Sequence, residues 1–145
     1  MPELTIAGDT PEVLFVCIHN AGRSQMAAAF LQVHGGDGVV VRSAGTQPVD
    51  QVNPAVVDAM AERRIDLHEL KATPKGLEDA AVEASDVVIT MGCGDECPFY
   101  PGTTYLDWPL EDPAGQGVHA IRPIRDEIER KVLDLLGDLG VEPIF

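Results

Sequence analysis

Cys17 and Arg23 are separated by five residues, Ile18-His19-Asn20-Ala21-Gly22, and Ser24 follows directly. This spacing can build an oxyanion site around a nucleophile. A thiolate attacks the central atom of a tetrahedral oxyanion, while a guanidinium offers a permanently charged planar fork matching two of its oxygens. The Ser24 hydroxyl can hydrogen-bond the sulfur and support it as a leaving group. Alone, C-x5-R fits a buried core cysteine equally well; the flanking residues decide for chemistry. Val13-Leu14-Phe15-Val16-Cys17 is a short apolar run, β-branched and aromatic, of the kind that forms a strand buried on both faces. Asn20 and Gly22 tolerate unusual backbone angles, and Arg23-Ser24-Gln25-Met26-Ala27 opens a helical pattern. Cys17 is therefore expected at the carboxyl end of a strand and Arg23 in the first turn of a helix. Unpaired loop N–H groups and the helix dipole then favour an anion at that point, a thiolate on Cys17 included.

The elements that must position this stretch follow in order. Met26, Ala27, Phe30 and Leu31 share a face of the helix, which ends at Gly35-Gly36. Val39-Val40-Val41 with Arg42 and Ser43 reads as a second strand. Asn53-Pro54 is an N-cap and first helical residue for a helix with Val56, Val57, Met60 and Ala61 inward, and Thr73-Pro74 repeats the device before Leu77, Ala80, Ala81 and Ala84. Asp86–Met91 is a third strand and Thr103–Leu106 a fourth. A last helix runs from Ala120 or Pro123 to Gly137. The expectation is an α/β fold: a single-domain, doubly wound, four-stranded parallel sheet with helices on both faces and ligands beyond the strand carboxyl ends.

The chain has 145 residues, room for one core, read as an N-terminal extension over 1–11 and one domain over 12–145. No apolar run reaches membrane length and the start is too polar for a signal peptide, so a cytoplasmic protein is expected. Its formal charge of −14 argues against nucleic acid and anionic membranes as partners. Three cysteines suit reactive thiols in a reducing compartment better than a disulfide framework.

The chain resembles the low-molecular-weight protein tyrosine phosphatase superfamily and, within it, the arsenate reductases built on that fold. Four stretches carry the resemblance: Cys17 to Ala27, Ser43-Ala44-Gly45-Thr46, Met91-Gly92-Cys93-Gly94-Asp95-Glu96-Cys97-Pro98, and Glu111-Asp112-Pro113. They occur in the family's order. The resemblance implies that residues 18–24 bind the oxyanion, that Asn20 and Ser43 form a supporting hydrogen-bond network, and that Asp112 is the general acid. Pro113 restricts the backbone of Asp112 and so helps fix how its carboxyl is presented.

Gly92 and Gly94 flank Cys93, and Cys97 follows before a proline. The functional reading is a relay in which Cys93 attacks Cys17 and Cys97 then attacks Cys93. A zinc half-site is the other use of C-x3-C, but no second pair of Cys or His stands at useful spacing, and no metal is expected. His19 either adds to the positive field of the loop or points to solvent; His34, His68 and His119 read as structural or solvated. Phe99, Tyr100, Tyr105 and Trp108 read as packing of a long loop rather than the rim of an aryl cleft.

Two activities follow from the resemblance. One is arsenate reduction, with phosphate or sulfate as substrate analogues, no bound cofactor and an external thiol reductant. The Met-Gly-Cys-Gly-Asp-x-Cys-Pro form is similar to that of the actinobacterial branch, part of which uses mycothiol with mycoredoxin; the presence of both later cysteines favours thioredoxin. The alternative is a phosphatase acting on phosphotyrosine or small esters through Cys17 and Asp112. A non-catalytic oxyanion-binding or redox-sensing module uses fewer of these residues.

Overall fold

Two apolar runs, β1 (Glu12–Cys17) and β3 (Val87–Thr90), lie side by side at the centre of a parallel sheet, with β2 (Val40–Gly45) and β4 (Thr104–Asp107) outside them in the order β2-β1-β3-β4. The structure is a computed structural model that describes residues 10–70, 72–91, 103–111 and 115–144. Cys93, Cys97, Asp112, Phe99, Tyr100 and most of the 1–11 extension lie outside the described residues. The helices are α1 (Arg23–Gly35), α2 (Pro54–Ala61), α3 (Asp79–Ala84) and α4 (Val118–Leu139), with a 3-10 turn at Gly36–Gly38. No described helix is long and apolar enough to cross a membrane.

Side chains alternate across a strand, so β1 feeds two cores. Val13, Phe15 and Cys17 join Met26, Phe30 and Leu31 of α1, Met60 of α2 and Ile128 and Leu135 of α4. Leu14 and Val16 point the other way, to Ala44, Val88 and Val82 of α3. Helices therefore cover both faces, which is why β1 carries no polar alternation. Each fully buried Phe, Leu or Ile contributes about 1.5–3 kcal/mol relative to exposure, more than a surface ion pair does. Burial of these faces, not charge, sets the architecture.

The register fixes where the strands end. Cys17 pairs with Gly45, Val16 with Thr90, and Thr90 with Asp107, so the segments leaving β1, β2, β3 and β4 emerge along one edge. Strand order reverses at β1, and its carboxyl end is the topological switch point.

Several boundaries differ from the sequence expectation. Thr73-Pro74 does not start a helix: α3 begins at Asp79, because residues 75–77 are held as an extension of the sheet edge. The Gly45 N–H donates to the Lys75 carbonyl at 2.8 Å, the Leu77 N–H to the Gly45 carbonyl at 3.1 Å, and Gly45 and Gly76 form a parallel bridge. α2 opens as expected, with Pro54 first and the Asn53 side chain accepting from Ala55 N–H at 3.0 Å; its buried residues are Val56, Ala59 and Met60, and Ala61 is exposed. α4 starts at Val118, ahead of both expected positions, and runs past Gly137 to a left-handed cap at Gly140. Burial of Ile121 and Ile124 rewards the extra turn, and Pro123 inside it forfeits one helical hydrogen bond.

Candidate active site

β1 ends at Cys17 and α1 begins at Arg23, so the five intervening residues form a tight loop over the start of the helix. Asn20 takes the turn, in a left-handed conformation with φ of 52°. This conformation is costly for a side chain other than glycine and persists where neighbours hold it. Here they do. The Asn20 N–H returns to the Cys17 Sγ at 3.3 Å, and Asn20 Nδ2 donates to Ser24 Oγ at 2.7 Å. Ser24 Oγ in turn lies 2.8 Å from Cys17 Sγ.

Outside the loop, β2 supplies a close backbone wall. A Cβ on Gly45 would stand 2.6 Å from the Ile18 carbonyl and 2.9 Å from Asn20 N, so only glycine lets the loop lie this close. Four further hydrogen bonds lace the loop to the segment after β2: Thr46 N–H to the Cys17 carbonyl, Gln47 N–H to Ile18, Val49 N–H to His19, and Asn53 N–H to Ala21.

Cys17 is 2 % exposed and Arg23 5 %, yet both line one cavity of about 340 Å³ with His19, Gly22, Val49 and Asn53. The sulfur, a guanidinium and a helix N-terminus thus meet at one hollow with room for a tetrahedral oxyanion. Arg23 Nη1 also donates to the Leu110 carbonyl at 3.1 Å, in the segment that leads to Asp112. That segment is held by Trp108, whose N–H donates to Thr90, whose ring packs on Phe15 at 5.7 Å between centroids, and over which Lys131 Nζ sits. Trp108 is a packing residue, and Tyr105 packs on the smaller core.

A larger hollow of about 590 Å³ lies behind the loop, between α1, β2 and residues 70–84. Neither Cys17 nor Arg23 lines it, so it is not where the chemistry of this loop would occur. Ser43 does line it. Two residues short of the strand end, Ser43 is buried opposite Phe15, and the groups bonded to the Asn20 side chain are Ser24, Gln25 and the Lys75 main chain instead. Of the other histidines, His34 is buried against Glu129 at 2.9 Å, while His68 and His119 are exposed.

Sequence reading does not single out Gln25, Thr73 or Lys75. Gln25 Nε2 lies 3.0 Å from the Asn20 carbonyl, 3.1 Å from Asn20 Oδ1 and 3.1 Å from the Thr73 carbonyl. The Lys75 N–H donates to Asn20 Oδ1 at 2.8 Å. The turn from Arg23 to Ala27 is buried throughout, which only the fold reveals; Thr73 and Lys75 offer main-chain atoms, which leave no trace in residue type.

The loop between Cys17 and Arg23 lies at the switch point of a four-stranded parallel sheet. The chain belongs to the low molecular weight phosphotyrosine protein phosphatase family, whose model matches residues 12–143. Within it, a putative arsenate reductase of Halobacterium salinarum is 39 % identical over 139 residues, covering 92 % of this chain and 96 % of that protein. The thioredoxin-dependent arsenate reductase of Corynebacterium glutamicum superposes with a TM-score of 0.80 at 44 % identity, over 93 % of this chain; the match spans only 64 % of that longer chain. An arsenate reductase solved in its phosphate-binding state has a TM-score of 0.77 at 32 % identity, covering 88 % of this chain and 98 % of the other.

Proposed function

We propose that this chain is an arsenate reductase, converting arsenate to arsenite with thiols as the electron source. One observation carries the reading: the Cys17 sulfur receives the Asn20 N–H and stands beside the Ser24 hydroxyl in a hollow it shares with Arg23. The arsenate reductases among its relatives direct that oxyanion chemistry to arsenate.

In the first step the Cys17 sulfur attacks arsenic while an As–O bond breaks. Asp112 supplies the proton with which the hydroxyl leaves as water. Loop N–H groups of residues 18–24 and the Arg23 guanidinium hold the remaining oxygens. Cys93 then attacks the Cys17 sulfur: an S–S bond forms, the S–As bond breaks, and its electron pair stays on arsenic, which leaves as arsenite. Cys97 attacks Cys93 and releases Cys17 as thiolate. An external thiol system reduces the Cys93–Cys97 disulfide; thioredoxin is the donor we adopt, with mycothiol and mycoredoxin as the other. Consumption of thiols calls for a reducing compartment, the cytoplasm.

Replacing Cys93 with serine tests the relay. Arsenate turnover is expected to be lost while hydrolysis of a small phosphate ester changes little. Unchanged arsenate turnover would overturn the relay, and ester hydrolysis without arsenate reduction by the unmodified protein would establish the phosphatase instead. Parallel assays with thioredoxin and with mycothiol plus mycoredoxin identify the donor.

A further inference from the structure

Gln25, the third residue of α1, is 3 % exposed and has no part in the steps above. Three acceptor oxygens, the carbonyls of Asn20 and Thr73 and Asn20 Oδ1, converge within 3.1 Å of its Nε2. Only the NH2 end of an amide satisfies them.

The direction of the bonds beyond Gln25 can be followed from one group that has no choice. The main-chain N–H of Lys75 can only donate, and it meets Asn20 Oδ1 at 2.8 Å. That fixes which end of the Asn20 amide is oxygen, and the same oxygen takes a hydrogen from Gln25. Asn20 Nδ2 therefore faces Ser24 and donates to its hydroxyl oxygen at 2.7 Å. A hydroxyl has a single proton. With Asn20 donating to Ser24 Oγ, that proton is free to point at the Cys17 sulfur, 2.8 Å away, and does so when the sulfur is a thiolate, which can only accept. A thiolate at this position receives two donors, Ser24 Oγ–H and Asn20 N–H, and both support the sulfur as a leaving group.

We infer that Gln25 is a positioning residue for Cys17: by holding Asn20 in its left-handed turn with the amide oxygen inward, it keeps Asn20 Nδ2 on Ser24 Oγ and the Ser24 proton available to the sulfur. Without those donors, the Thr73 and Asn20 carbonyls lose a partner and the Asn20 amide oxygen is held by Lys75 alone. Asn20 Nδ2 is then held on Ser24 Oγ less firmly, and the Ser24 proton is less firmly kept for the sulfur. The inference rests on the proposed role of Cys17 as nucleophile.

Gln25→Met keeps the length of the side chain without its donors, and Gln25→Glu keeps its shape while presenting oxygen to three oxygens. Two readouts are independent of arsenate: the rate of alkylation of Cys17 by iodoacetamide, resolved by peptide mass, and the ultraviolet absorbance of its thiolate, taken as the difference from C17S. In Q25M the alkylation rate at neutral pH is expected to fall about five- to tenfold, the effect of weakening one charge-assisted hydrogen bond, and the thiolate absorbance to fall with it. In an S24A background Q25M is expected to add nothing. An unchanged rate and absorbance in Q25M, or the same drop with Ser24 already removed, would overturn the inference. Should Q25M lack a cooperative unfolding transition, the same readings on Q25E decide. A Cys17 unreactive in the unmodified protein would overturn both this inference and the nucleophile assignment, whereas absent arsenate turnover with these readouts intact would overturn only the choice of substrate.

Discussion

Arg23 reaches from the first turn of α1 to the carbonyl of Leu110, 87 residues further along the chain, and donates to it from Nη1 at 3.1 Å. The guanidinium proposed to grip an oxyanion is thus also a tie to the segment that leads into Asp112. A guanidinium carries five donors in a rigid fork, so the two tasks are compatible in one side chain.

Lysine cannot do both. R23K keeps the charge but replaces the fork with a single ammonium on a shorter reach, losing the bidentate grip and the Leu110 tie together. The kcat/KM for arsenate is expected to fall about 100-fold or more, comparable to removal of an oxyanion donor, with little change in the thermal midpoint. Steady-state kinetics beside a melting curve checks this, and an R23K enzyme of near-normal kcat/KM would contradict it.

Gly45 and Gly137 make a contrasting pair. A Cβ at Gly45 meets main-chain atoms of Ile18 and Asn20 at 2.6 and 2.9 Å, and main chain cannot rotate away. G45A is expected to displace the anion loop, destabilise the fold by about 1–3 kcal/mol and remove most activity. Gly137 lies within α4 with nothing inside 4 Å of a built Cβ. There alanine is expected to stabilise by about 0.5–1 kcal/mol and leave turnover alone. Urea denaturation of the two variants, which should move in opposite directions, is the measurement.

Glu62, at the end of α2, takes hydrogen bonds from Arg122 and Arg125 of α4, and these hold its carboxyl down to about 2, from 4.5 unpaired. A carboxyl with a depressed folded value stabilises the fold fully above its unfolded value, and that contribution is lost as pH falls toward about 2. The thermal midpoint of E62Q is expected to lie below that of the unmodified protein at neutral pH. The gap should close as pH drops from 4.5 toward 2. Paired melting curves across that range test it, and a gap independent of pH would refute the linkage.

Much of this fold is legible in local sequence because its causes are local. Val13–Cys17 reads as a doubly covered strand from its unbroken apolar run, and α1 starts at Arg23 and ends at Gly35 beside the glycines expected to stop it. Asn53-Pro54 opens α2 through contacts within two residues. With those elements placed, parallel order brings Cys17 to the sheet edge and Arg23 to the adjoining helix N-terminus. Spacing alone therefore determined that a thiol and a guanidinium share one hollow.

Tertiary structure decided the rest, since the causes lie far apart in the chain and partly in main-chain atoms. Thr73-Pro74 carries a helix-start signal, yet the chain there stays extended because Gln25 holds the Thr73 carbonyl and Gly45 and Asn20 occupy the Lys75 peptide. Gln25, 48 residues from Thr73, shows no periodicity or spacing that ties it to the loop. Local spacing sets which side chains stand near one another; which atom of Asn20 faces Ser24, beside Cys17, depends on the Lys75 amide, 55 residues from Asn20 and brought beside it only by the closed fold.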